Sequence, residues 1–87
     1  MNLTMADLKS CFQSAVEMNA KFMGVKISVP NCPENEVIIN PTVNFEAKLT
    51  YYMGAYNADL TLKTFKMINI TGFAYGNNYR TLEEALK

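Results

Sequence analysis

The sequence predicts an α+β fold whose elements run α-β-β-α-β-α and build a three-stranded, mainly antiparallel sheet with two helices packed on one face. Two series of apolar residues recur at helical spacing, and three short segments are apolar at the period of a strand. Clusters of Pro, Asn and Gly punctuate them. The 87 residues are expected to make one domain, 1–87, since no internal repeat, low-complexity tract or linker divides the chain.

Thr4 followed by Asp7 resembles a capping box, and behind it Leu8, Cys11, Phe12, Ala15, Val16, Phe22 and Met23 recur at helical spacing. A first helix is expected from about Met5 to Met23, ended by Gly24, because glycine takes the left-handed conformation a helix terminus often requires. Val25, Ile27 and Val29 then alternate with Lys26 and Ser28, a half-buried strand stopped by Pro30. The segment Pro-Asn-Cys-Pro-Glu-Asn reads as a hairpin turn, and a short second strand spans Glu36 to Asn40. Pro41 ends it, and Thr42 or Asn44 can cap the next helix. That helix carries Phe45, Leu49, Tyr52, Met53 and Tyr56 on one stripe, with Leu60 extending it. Gly54 in its interior suggests that another element packs close to the backbone there. After the third strand, Gly76-Asn77-Asn78 makes a turn, and Thr81 with Glu84 forms a second capping box, opening a terminal helix with Leu82 and Leu86. Strand one is expected between strands two and three.

The third strand, Phe65 to Tyr75, is apolar on both sides. Counting by twos, Ile68, Ile70, Gly72 and Ala74 share one face, while Phe65, Met67, Phe73 and Tyr75 share the other. Gly72 marks a bulge. The first two helices account for the Ile68/Ile70 face. The other has the short terminal helix as its one cover, and a contiguous exposed apolar patch usually signifies contact.

Composition excludes several classes. With 49% hydrophobic and 18% charged residues the chain is a folded globular protein and not a disordered tail. Eight basic residues balance eight acidic ones, so the field that draws a protein to a phosphate backbone is missing. The start of the chain lacks a basic stretch followed by an apolar run, and no apolar run approaches a membrane span, so a cytoplasmic location is expected. Cys11 and Cys32 are too few for a disulfide framework and read as free thiols. The sequons at Asn2-Leu3-Thr4 and Asn69-Ile70-Thr71 matter only on a secretory route.

Catalysis finds little to use. The chain has no histidine, its carboxylates are scattered over helix starts, loops and polar faces, and Glu34 with Glu36 reads as a solvated turn. Cys11 sits on an apolar stripe, and Cys32 has no histidine to activate it. The four glycines stand apart from any phosphate-loop pattern. No catalytic, cofactor-binding or metal-binding residue is assigned. Phe73 and Tyr75 could stack with bases, flanked by Lys63, Lys66 and Arg80, but the basic groove of a single-strand binder is missing.

The run from Asn44 to Gly76 resembles the C-terminal part of small uncharacterised proteins encoded by phages and prophages of Gram-positive bacteria. The matching features are the aromatic-rich helix ending Ala-Tyr-Asn-Ala-Asp-Leu-Thr-Leu-Lys and the following strand with Ile70, Gly72 and Phe73. The resemblance implies a cytoplasmic accessory protein. The expected function is that of a small non-enzymatic protein-interaction module, a phage or prophage accessory or assembly protein. Its interface, with a second copy or another protein, is Ile38, Phe65, Met67, Phe73 and Tyr75. A single-stranded nucleic-acid-binding or regulatory module using the sheet aromatics is the alternative.

Overall fold

Thr4 starts the first helix by reciprocal capping: its hydroxyl accepts from the Asp7 N–H at 3.3 Å, and its own N–H donates to the Asp7 carboxylate at 2.8 Å. The computed structural model describes residues 3–32 and 34–87, so Asn2 of the first sequon and Pro33 of the expected turn lie outside it. Helix α1 (Met5–Glu17) ends earlier than its apolar series suggests. Asn19 takes a left-handed φ of 53°, its N–H donates to the Val16 carbonyl at 3.1 Å, and the Ala20 N–H donates to the Ala15 carbonyl at 2.9 Å. These are the two bonds of a Schellman end, with Asn in place of the usual Gly. Phe22 and Met23, expected on the helix, therefore open strand β1 (Phe22–Ser28), and Gly24 lies inside that strand.

Strand β2 (Glu36–Pro41) returns antiparallel to β1, with Val25 opposite Ile38. Thr42 caps nothing: it begins a single 3-10 turn, Thr42–Asn44, and its hydroxyl donates to the Ala20 carbonyl at 2.8 Å, tying the turn to the loop before β1. Helix α2 (Phe45–Ala55) follows, then strand β3 (Thr61–Leu62), the long strand β4 (Phe65–Gly76) and helix α3 (Tyr79–Leu86). The chain is α+β, with three helices and a four-stranded antiparallel sheet in the order β2-β1-β4-β3. Strand β1 lies between β2 and β4 as expected. The strand count is four and not three, because the two residues of β3 are too few to register as a sequence pattern.

Helices α1 and α2 lie on the face that carries Met23, Val25, Ile27 and Ile70, and with Leu8, Phe12 and Tyr52 these form the main core. The rings of Phe12 and Phe45 meet edge to face at 6.0 Å, joining the two helices. Helix α3 covers part of the other face. Its N-cap is Asn78, whose side-chain oxygen accepts from the Thr81 N–H at 3.0 Å, so Thr81 is a first-turn residue and not the cap. Tyr79 stands edge to face on Phe22 at 5.8 Å, while Leu82 and Leu86 are buried over Gly24.

Gly24 is required by space and not by conformation, since no glycine has a positive φ. A Cβ there would collide with Leu86 and sit 3.4 Å from Ile39 and 3.5 Å from Leu82. Gly54 is the reverse: a Cβ would meet nothing within 4 Å, so the close approach expected beside it is not there. We predict that Gly54→Ala raises the unfolding free energy by about 0.5–1 kcal/mol through helix propensity and chain entropy. Gly24→Ala should lower it by roughly 1–3 kcal/mol by overpacking. Urea denaturation of the two variants checks the opposite signs, and a stable Gly24→Ala protein would show that α3 does not rest on β1.

Candidate functional site

Strand β4 changes face in mid-course. Lys26 of β1 stands opposite Gly72, but the next residue, Ile27, stands opposite Ile70, so Thr71 is an extra residue in a β-bulge. The bulge expected at Gly72 is present, and it reverses the alternation of side chains across it. Phe73 and Tyr75 therefore fall on the same side as Ile68 and Ile70, opposite Val25 and Met23.

The five residues expected to form one interface are divided accordingly. Ile38 and Phe73 flank Val25 across the sheet and are packed, half-buried, against the core beneath α1 and α2. Tyr75, 38% exposed, stands opposite Met23 at the far end of β4. Phe65 and Met67 are 47% and 65% exposed at the near end. With Phe73 packed into the core, the pair of rings expected to stack with bases is not a shared open platform.

The near end of β4 is a hairpin tip. Pairing with β1 stops at Ser28 opposite Asn69, so Phe65 to Ile68 run on past the central strand. On the other side β3 supplies Leu62 opposite Phe65, with Lys63 and Thr64 between them as a two-residue turn. Neither turn residue has a positive φ, so the turn is not of the primed kind that matches strand twist, and the strands splay. The register accordingly slips between Thr61, opposite Asn69, and Leu62, opposite Phe65. Phe65 and Met67 thus project from a short, splayed hairpin together with exposed Lys63 and Lys66.

The base of this hairpin is firmly tied. Leu60 is fully buried with φ 67°, a left-handed conformation costing a non-glycine residue roughly 1–3 kcal/mol, which burial of a leucine side chain offsets by roughly 1.5–3 kcal/mol. The Leu60 carbonyl accepts from Ile70 N–H at 3.0 Å, the Ala58 carbonyl accepts from Met5 N–H at 2.8 Å, and the Ala55 carbonyl accepts from Lys63 N–H at 2.9 Å. Asp59 accepts from the Thr61 hydroxyl at 2.6 Å and from its N–H at 3.1 Å, and these bonds hold its carboxyl below the usual range.

Two further features had no sequence signal. An apolar groove of about 290 Å³ runs between α1 and α2, floored by Phe12, Phe45 and Leu49 and rimmed by Lys9 and Glu46. Beneath α2 the Tyr52 hydroxyl is buried with no hydrogen-bond partner, and Lys48 lies 5.4 Å from its ring. Burial, then the neighbouring Tyr56, Tyr51 and Glu36, push that hydroxyl far above the ordinary tyrosine range. Both cysteines are free: burial pushes the Cys11 thiol up, with its sulfur 3.8 Å from that of Met23, and the exposed Cys32 donates to the Glu34 carbonyl at 3.1 Å. Among the described residues no group of three or more Cys, Asp or Glu could hold a metal ion, and no helix is long and apolar enough to cross a membrane.

Comparison of the chain with protein-family models, with curated proteins and with solved structures finds no match.

Tyr52 yields a prediction with a definite sign. Its folded pKa lies above the unfolded value of 10.0, so the folded state holds the proton more tightly and stability falls as pH rises past 10. Tyr52→Phe removes an unsatisfied buried hydroxyl and should stabilise the protein at neutral pH by about 1 kcal/mol. It should also flatten the alkaline loss, which thermal unfolding between neutral and strongly alkaline pH measures directly.

Proposed function

We propose that this protein is a small non-enzymatic interaction module whose contact element is the β3–β4 hairpin tip. The observation that carries the reading is the exposure of Phe65 and Met67 on a strand that overruns its central neighbour, out of reach of the leucines of α3. Core side chains of this size are normally enclosed, and an exposed pair on a tip whose base is tied by hydrogen bonds is held ready for contact. Lys63 and Lys66 flank them, so the complementary partner is a protein surface with an apolar pocket and carboxylates at its rim. A phage or prophage accessory or assembly protein is the setting that the resemblance of the C-terminal half suggests.

The reading separates contact residues from core residues by measurement. Phe65→Ser with Met67→Ser should leave the unfolding free energy within about 0.5 kcal/mol of the parent, as surface positions do. A partner recovered with the parent chain and then purified should bind the double variant at least about tenfold more weakly, the signature of a lost anchor. A destabilisation above roughly 2 kcal/mol would mark the two residues as core and remove the basis of the proposal.

A further inference from the structure

The sheet has a second uncommitted element, and its own sequence specifies what can complete it. Strand β2 is an edge strand that pairs with β1 alone. Its three consecutive β-branched residues, Val37, Ile38 and Ile39, are all half-buried. The Thr42 N–H donates to the carbonyl of Lys21, directly across the ladder, at 3.0 Å, which sets the alternation of the strand. Asn40, Ile38 and Glu36 turn their backbone groups toward β1, and Pro41, Ile39 and Val37 turn theirs outward. Pro41, without an N–H, stands at a position where the ladder needs none. The outward N–H and C=O groups of Val37 and Ile39 form an open template.

We infer that two copies of the chain associate by antiparallel pairing of β2 with β2 about a two-fold axis at Ile38, fusing the two sheets into one. This register sets outward-facing residues against outward-facing residues: Val37 of each copy exchanges both backbone bonds with Ile39 of the other. The side chains match as well. Ile38 meets Ile38 on the face of α1 and α2, Val37 meets Ile39 on the face of α3, and Glu36 meets Asn40, so no like charges oppose one another. Moving the axis by one residue toward Pro41 sets Ile39 against Ile39 but pairs Ile38 with Asn40 and Val37 with a proline that cannot donate. The other free edge, from Thr71 to Gly76, begins at the bulge, a device that discourages pairing. Beside β2 a cleft of about 480 Å³, lined by Glu34, Asn35, Val37, Glu83 and Lys87, leaves the flank of the strand open to an approaching neighbour.

The dimer is weak and exchanging, with dissociation at roughly 10–1,000 µM, since a strand edge buries less than the ~800 Å² per partner of a stable interface. Charge at Asn40 tests the register with opposite signs. Asn40→Lys places a lysine opposite Glu36 twice per dimer and tightens association roughly three- to tenfold, while Asn40→Glu opposes two carboxylates and weakens it by a similar factor. Val37→Pro removes an outward N–H without touching the β1 ladder and abolishes association. Sedimentation velocity over about 10 µM to 1 mM reads all three, with amide spectra confirming the fold of each variant. Amide exchange should slow with concentration at Val37 and Ile39 and stay constant at Phe65 and Met67. A chain monomeric throughout, or Asn40→Glu and Asn40→Lys with equal affinity, overturns the inference and leaves the hairpin tip untouched. Concentration-dependent protection at Phe65 and Met67 in place of Val37 and Ile39 also overturns it.

Discussion

The central position of β1 is the constraint from which the other contacts follow. The strand has a neighbour along each edge and helices against each face, and Met23 to Val25 with Ile27 are buried. Its two faces solve burial differently. Met23, Val25 and Ile27 present side chains to α1 and α2, each contributing roughly 1.5–3 kcal/mol by leaving water. On the opposite face the strand gives way: Gly24 leaves a hollow, and Leu82 and Leu86 of α3 fill it. The helices are thereby assigned to their sides by the shape of one strand, two over bulk and one over absence.

The bulge in β4 distributes what remains. Without it, the strand that pairs with β1 at Phe73 would keep the same parity down to Phe65, placing Thr71, Asn69 and Met67 on the side of α1 and α2 and turning Ile68 and Ile70 away from the core. With it, Phe73 turns toward the core, Gly72 and Ala74 face α3 as small surfaces, and Phe65 and Met67 stand uncovered at the hairpin tip, with Tyr75 partly uncovered at the far end. One inserted residue, Thr71, thus keeps Ile68 and Ile70 on the same side as Phe73 and turns Phe65 and Met67 to the other.

Much of this was legible in the residues, and the exceptions share a cause. The cap at Thr4, the hairpin of β1 with β2 and the bulge at Gly72 are local signals, written in residues close together in the chain. Of the expected α2 stripe, Phe45, Leu49 and Tyr52 pack inward, while Met53 is exposed and Tyr56 lies past the helix end. The end of α1 is not marked by a glycine, because Asn19 takes the conformation that glycine usually supplies, and the role of Gly24 depends on Leu86, far along the chain. Thr81 has the spacing to Glu84 of a capping box, but Asn78, three residues earlier, takes the cap. The interface set joined Ile38 and Phe73 to Phe65 and Met67 by unbroken alternation. The bulge that Gly72 marks reverses the alternation and parts Phe73 and Tyr75 from Phe65 and Met67. The groove between α1 and α2 and the orphaned Tyr52 hydroxyl arise only when distant segments are packed together.

The pairing of β1 with β4 joins the first third of the chain to its last quarter, with Phe22 opposite Gly76. Contacts so distant in sequence form late, because the loop between them must be closed before they contribute. During synthesis, α1 with the β1–β2 hairpin emerges first and waits with β1 open along the edge that β4 will occupy. Gly24 keeps the α3 side of that waiting strand sparse in side chains, so the emerging hairpin offers less apolar surface to its neighbours than an alanine or valine there would. A residue chosen for how closely a helix can pack in the finished fold thus also lowers the stickiness of the unfinished one.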